Sequence, residues 1–210
     1  MERPGRAGFL VSTRGKRPLT LAAVPRRREA KKGFEPVEID ERMSQTKPLV
    51  SVLVGSRSDW ETMRHAVDTL ARFGVPHEAR VLSAHRTPEA VAEYVRQADA
   101  AGVEVFIAAA GGAAHLAGVV AAHTIRPVLG APMEGWALRG LDALLATVQM
   151  PPGIPVATMA VGSGGAKNAA IFAAEILALK YPSIAQKVTD YREGMTRETL
   201  QKARNFETGK

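Results

Sequence analysis

Between residues 49 and 179, short apolar runs alternate with stretches whose apolar positions recur at helical spacing, a pattern that predicts parallel strands joined by helices. Residues 49–54 form a Val-rich run that stops at Gly55-Ser56-Arg57-Ser58-Asp59-Trp60. The helix predicted next carries Met63, Ala66, Val67, Leu70 and Phe73, with Gly74 as its stop. A second strand, 77–82, runs into Ser83-Ala84-His85-Arg86-Thr87-Pro88, and its helix carries Val91, Tyr94, Val95 and Ala98 before Gly102. The third strand, 103–110, is almost wholly apolar, as expected of a strand covered on both faces. A Gly-rich turn at 111–118 leads into a small-residue helix through His123, and a fourth strand is expected at 128–131. Residues 133–140 read as a loop, and 141–148 as a helix with Leu141, Leu144, Leu145 and Val148 on one face, broken by Pro151-Pro152-Gly153. A fifth strand is expected at 154–161, then the turn Gly162-Ser163-Gly164-Gly165 and an Ala-rich helix over 166–179.

The predicted fold is therefore α/β, a doubly wound parallel sheet of five strands occupying 49–182. Residues 183–206 form a charged amphipathic helix with Ile184, Val188, Tyr191 and Met195 on one face. It has no place in the sheet, so the segment 183–210 is expected to pack on an outer face or on a neighbouring subunit.

Periodicity fails over residues 1–48, where Arg26-Arg27-Arg28, Lys31-Lys32 and scattered Pro and Gly give the composition of a chain that cannot bury a core. This basic extension is expected to be disordered or loosely attached. A transit peptide, a basic arm for RNA, and a natural start at Met43 are the readings it admits. The net charge of +7 is concentrated there: the extension carries +6 and the remainder +1. The overall basicity thus says little about the folded part, for which nucleic acid is not an expected partner. The absence of Cys rules out disulfides and thiolate metal sites and fits a reducing compartment such as the cytoplasm. No apolar run is long enough to span a membrane as a helix.

Chemistry concentrates in the turns after the first three strands, whose carboxyl ends share one crevice in such a sheet. The first turn offers the hydroxyls of Ser56 and Ser58 for an anion and Asp59 to accept hydrogen bonds from sugar hydroxyls. The second joins Ser83, His85 and Arg86, with Thr87 placed to cap the next helix and Pro88 at its first position. Arg86 can clamp a phosphate and His85 can carry a proton. The third, Gly111-Gly112-Ala113-Ala114-His115-Leu116, permits close backbone approach to a flat ligand. No Gly-x-x-x-x-Gly-Lys-Ser/Thr, no Gly-x-Gly-x-x-Gly, no His-Glu-x-x-His and no Gly-x-Ser-x-Gly occurs, which disfavours nucleoside triphosphates, dinucleotides, zinc hydrolysis and a serine nucleophile.

These turns, together with Gly140-Leu141-Asp142-Ala143-Leu144-Leu145 and Val148-Gln149-Met150-Pro151, resemble the N5-carboxyaminoimidazole ribonucleotide mutase family, in order and without large gaps from about residue 49 to 179. The resemblance implies a flavodoxin-like subunit in a homo-octamer and a step of purine synthesis that needs neither metal nor organic cofactor. It implies a small-molecule ribonucleotide as partner and transfer of a carboxylate from the exocyclic nitrogen to ring carbon C4. By position, Ser56, Ser83 and Arg86 fall in the phosphate region, with Ser58 beside them. Asp59 falls at the ribose, His85 at the proton-transfer position, and Gly111 and His115 at the base and carboxylate end. One histidine near neutrality can deliver the proton to nitrogen and later take it from carbon.

The chain departs from the family pattern at Glu134-Gly135, where Gln-Ser is usual, at Ala109 in place of Gly, and at Ala117 in place of Pro. A carboxylate at Glu134 facing the site would oppose a carboxylated substrate. The competing readings are direct carboxylation of aminoimidazole ribonucleotide, a branch that carries Lys at the position of Arg86, and a non-catalytic nucleotide-binding module.

Overall fold

The computed structural model describes residues 47–135 and 137–207. Nearly all of the basic extension lies outside them.

Five parallel strands form one sheet: β1 (Val50–Val54), β2 (His77–Val81), β3 (Val105–Ala110), β4 (Val128–Pro132) and β5 (Ala157–Thr158). Their order is β2-β1-β3-β4-β5, the flavodoxin-like arrangement in which the direction of winding reverses between β1 and β3. The helices are α1 (Trp60–Arg72), α2 (Pro88–Ala101), α3 (Leu116–Ala121), α4 (Leu141–Val148), α5 (Ser163–Ala178) and α6 (Pro182–Glu207).

The period-two geometry of the strands divides the core into two layers. Val50, Val52 and Val54 of β1 join Val105, Ile107 and Ala109 of β3 beneath α1 and α5. Leu53, Phe106 and Ala108 face the other way, against Val91 and Val95 of α2 and Leu116 and Val120 of α3. That is why β1 and β3 read as apolar runs, broken only by Ser51 of β1, whose buried hydroxyl pairs with that of Tyr94 at 2.6 Å. On α5 the buried positions are Gly165, Ala166, Ala169, Ala170, Ala173, Ala174 and Leu177, and the small ones among them let this helix approach the sheet and α1 closely.

Several boundaries differ from expectation, and β3 starts at Val105 rather than at 103. The fifth strand pairs only at Ala157 and Thr158, against Leu129 and Gly130, rather than over 154–161. Pro155 has no N–H to give to a ladder, and past Thr158 only single bonds tie the chain to β4, Met159 N–H to Gly130 O at 2.8 Å and Gly162 N–H to Pro132 O at 2.9 Å. The turn Ser163-Gly164-Gly165 is already the first turn of α5. Gly165 is needed there because a Cβ would overlap the backbone of Ala160. The third helix stops at Ala121, short of His123.

The last helix runs 26 residues. Its first turns bury Ile184 and Val188 in the layer under α1 and α5, and Tyr191 meets Phe73 edge to face at 5.4 Å. Farther along, Met195, Leu200 and Phe206 are exposed, as are Leu141, Leu145 and Val148 on α4. Among the described residues no helix is long and apolar enough to cross a membrane.

Candidate active site

The carboxyl end of β1 is flanked by those of β2 and β3, so the turns that follow these three strands meet above it. After β1, Ser56 is extended (φ −147°, ψ 150°) and caps a single 3-10 turn, Arg57–Asp59, by accepting the Ser58 N–H at 3.3 Å. The Ser56 and Ser58 hydroxyls lie 2.8 Å apart, and Ser58 donates to Asp59 Oδ1 at 3.1 Å. Half-burial pushes the Asp59 carboxyl above its ordinary value, and the hydrogen bond from Ser58 pulls against that shift. Asp59 stands at the N-cap of α1 without making a side-chain cap.

After β2 the chain closes into a small ring. Thr87 occupies the N-cap position of α2, but its hydroxyl makes no cap. It turns back instead, accepting from Ser83 N–H and donating to Ser83 O, both at 3.0 Å. The ring presents Ser83 Oγ to Arg86, which donates to it from its backbone N–H at 3.2 Å and from Nε at 3.3 Å. The guanidinium then reaches the first turn, Nη2 donating to Gly55 O at 3.2 Å. Arg86 thus ties two turns together and leaves its remaining N–H groups on an exposed rim.

After β3, Gly111 and Gly112 lead to His115, and Gly112 holds φ 60°, a left-handed conformation suited to glycine. His115 is the N-cap residue of α3 and is exposed. Its Nδ1 lies 2.8 Å from His85 Nε2, with the rings 78° apart in plane and 4.9 Å between centroids.

The structure therefore gathers Ser56, Ser58, Asp59, Ser83, Arg86, His85, Gly111 and His115 around the end of β1. Gly55 as an anchor for Arg86 and Thr87 as the latch of its loop were not singled out by the sequence. Their roles run through backbone carbonyls and amides, which no side-chain motif advertises. Glu134 follows β4 on the same edge of the sheet and is exposed, its Oε2 3.8 Å from the point where a Cβ on Gly162 would stand. Two grooves of about 780 and 740 Å³ lie elsewhere, one lined by Phe172, Tyr191 and Met195, the other by His123, Ile125 and Ile154, and neither includes the residues of this cluster. Among the described residues no three His, Asp or Glu side chains group as a metal site would require.

The sheet order and the cluster at its switch point define a flavodoxin-like α/β protein with hydroxyls and a guanidinium for an anion beside imidazoles for a proton. The family model described as AIR carboxylase matches residues 49–198, and the chain belongs to that family. The N5-carboxyaminoimidazole ribonucleotide mutase of Pyrococcus horikoshii is 50% identical over 165 residues, covering 79% of this chain and 92% of the relative. The protein of the same name from Bacillus subtilis is 50% identical over 153 residues, 73% of this chain and 94% of the relative. The crystal structure of Treponema denticola PurE superposes with a TM-score of 0.68 at 30% identity, covering 73% of this chain and 95% of that one.

Proposed function

We propose that this chain catalyses the reaction named in its relatives, converting N5-carboxyaminoimidazole ribonucleotide to 4-carboxy-5-aminoimidazole ribonucleotide in purine biosynthesis. The observation that carries the reading is that His85 adjoins an Arg86 whose guanidinium is braced by Ser83 and by the carbonyl of Gly55, at the start of the turn that carries Ser56, Ser58 and Asp59. Ser56, Ser58, Ser83 and Arg86 hold the phosphate and Asp59 the ribose hydroxyls, while Gly111 and His115 line the base and carboxylate end.

The carbamate C–N bond breaks with its electron pair passing to nitrogen, carbon dioxide is released, and His85 supplies the proton that nitrogen takes up. Ring carbon C4 then attacks the carbon dioxide, and the C4 proton returns to His85, so the cycle consumes no net proton. Retention of carbon dioxide beside the ring gives the second step its high effective concentration. Arg86 favours this route over direct carboxylation of the uncarboxylated ribonucleotide.

The domain spans follow the same reading: 49–182 is the catalytic unit, 183–210 packs partly on a neighbouring subunit, and the copies assemble as a homo-octamer. Support comes from the apolar side chains left in water on α4 and on the far half of α6, and from a site that stands open on the single chain.

The test supplies purified protein with the N5-carboxylated ribonucleotide in one reaction and with aminoimidazole ribonucleotide plus bicarbonate in another. Rapid formation of the C4-carboxylated product in the first alone is expected. Comparable rates in both would assign the direct carboxylase reaction instead.

A further inference from the structure

Ser51 of β1 and Glu78 of β2 are partners in the parallel ladder, so their side chains stand abreast on the sheet face that α2 covers. Both bond to one group of α2, the Tyr94 hydroxyl, which donates to Glu78 Oε1 at 2.8 Å and lies 2.6 Å from Ser51 Oγ. A phenol has a single proton. Since that proton goes to the carboxylate, the fully buried Ser51 hydroxyl is the donor in the second bond. Burial pushes the Tyr94 phenol above its ordinary value, so it keeps the proton. Arg80, two residues along β2, closes the group: it donates to Glu78 Oε2 from Nη2 at 3.1 Å, and its guanidinium lies 5.8 Å from the centre of the Tyr94 ring.

We propose that Tyr94 is a positioning residue for the phosphate cradle: its hydroxyl fixes how far α2 lies along β1 and β2, and thereby the distance of Ser83 and Arg86 from the Ser56 turn. The inference rests on the function proposed above, in which both turns grip one phosphate.

Val91 and Val95 of α2 pack on Leu53 and Phe106 through apolar contacts, which are non-directional and change little when a helix slides by a fraction of a turn. Hydrogen bonds to two neighbouring strands do not permit that slide. Helix α2 begins at Pro88, directly after Thr87, and Tyr94 lies about 10 Å along its axis from that end, so a displaced helix carries the Arg86 turn with it. Arg86 does reach the first turn through Nη2 to Gly55 O at 3.2 Å, but that bond is made by the tip of a long, rotatable side chain and does not fix the spacing alone.

Two variants and one exchange measurement test this. Tyr94→Phe keeps the ring and removes both hydroxyl bonds, and KM for the N5-carboxylated ribonucleotide is expected to rise about 10-fold while kcat stays within about twofold. The same change leaves the buried Ser51 hydroxyl without its acceptor, which lowers stability whatever the tyrosine does for binding. Ser51→Ala combined with Tyr94→Phe removes that orphaned group, so the denaturant midpoint is expected to return towards the parent's while KM stays raised. In resting protein, hydrogen exchange of the Arg86 guanidinium, its signals assigned by their loss in Arg86→Lys, should quicken about 10-fold in both variants. A Tyr94→Phe variant with the parent's KM, a double variant that regains KM together with stability, or Arg86 exchange unchanged in both would each overturn the proposal. Exchange is read without substrate, so it stands or falls separately from whether the unmodified chain turns over the ribonucleotide.

Discussion

At the amino ends of the strands, carboxylates are matched with cations. Asp99, near the end of α2, accepts from Arg126 Nε at 2.8 Å and from the Thr124 hydroxyl at 2.7 Å, which ties that helix to the segment entering β4. Glu104, just before β3, accepts from Lys180 Nζ and the Tyr181 hydroxyl, both at 2.6 Å. At the carboxyl ends the one carboxylate of the cluster, Asp59, has a serine hydroxyl for a partner, and the guanidinium of Arg86 spends its bonds on a serine oxygen and a backbone carbonyl.

The titration of these groups follows the same division. Hydrogen bonds from Arg126 and then Thr124 hold Asp99 below its ordinary value. Burial pushes Glu104 up, but the bonds from Lys180 and Tyr181 outweigh it and leave it lowered. Asp59 is raised. One end of the sheet is neutralised for stability, and the other keeps charge and hydrogen-bonding capacity available for a ligand.

Three substitutions would break or sharpen this contrast. The largest effect belongs to the carboxyl end: His85→Asn is expected to lower kcat by about 10²–10⁴-fold while nucleotide binding, measured by calorimetry, persists. Loss of binding together with turnover would remove the proton role from His85.

At the amino end, Asp99→Asn is expected to cost about 1 kcal/mol of stability at pH 7 after allowance for solvent screening, with activity unaffected. Because the folded-state value of Asp99 is lowered, its contribution is present above the unfolded carboxylate value, about 4, and is lost as pH falls through the folded value. Denaturant melts of both proteins should therefore converge as pH falls through the folded-state value of Asp99, and a gap that stays constant with pH would contradict the assignment.

The smallest effect has the opposite sign. Asp59 is raised in the folded state, so its contribution is present below the unfolded value and is lost as pH rises through the folded one. Asp59→Asn should match or exceed the parent in stability at pH 7, by about 0.5 kcal/mol or less, and lose that advantage in acid. Its substrate affinity should fall at the same time, a stability gain obtained at the expense of binding.

Much of this architecture is legible in the order of residues, for identifiable reasons. Strands β1 and β3 are covered on both faces and advertise it by apolar runs, broken only by Ser51 in β1. Helix α1 declares its buried stripe through Met63, Ala66 and Leu70. Strand β5 is overestimated because residues 154–161 are apolar but for Thr158, whereas ladder pairing depends on backbone donors, which Pro155 lacks. The motif turns identify His85, Arg86 and Ser56 individually. The bond between His85 and His115 escapes any spacing rule because it depends on β1 lying between β2 and β3, a property of strand order. Thr87 misleads in a different way: a threonine before a proline at a helix start signals a cap, and here the hydroxyl serves the preceding turn.

That turn has a meaning for protein construction. Its shape is set by three bonds within residues 83–87: Thr87 N–H to Ser83 O at 2.9 Å and the two made by the Thr87 hydroxyl. None of the three reaches beyond the segment, so the loop brings its own scaffold and asks of a host only a strand before it and a helix after it. The five residues form a cassette, one that a designer could graft onto another parallel sheet to display an imidazole and a guanidinium side by side.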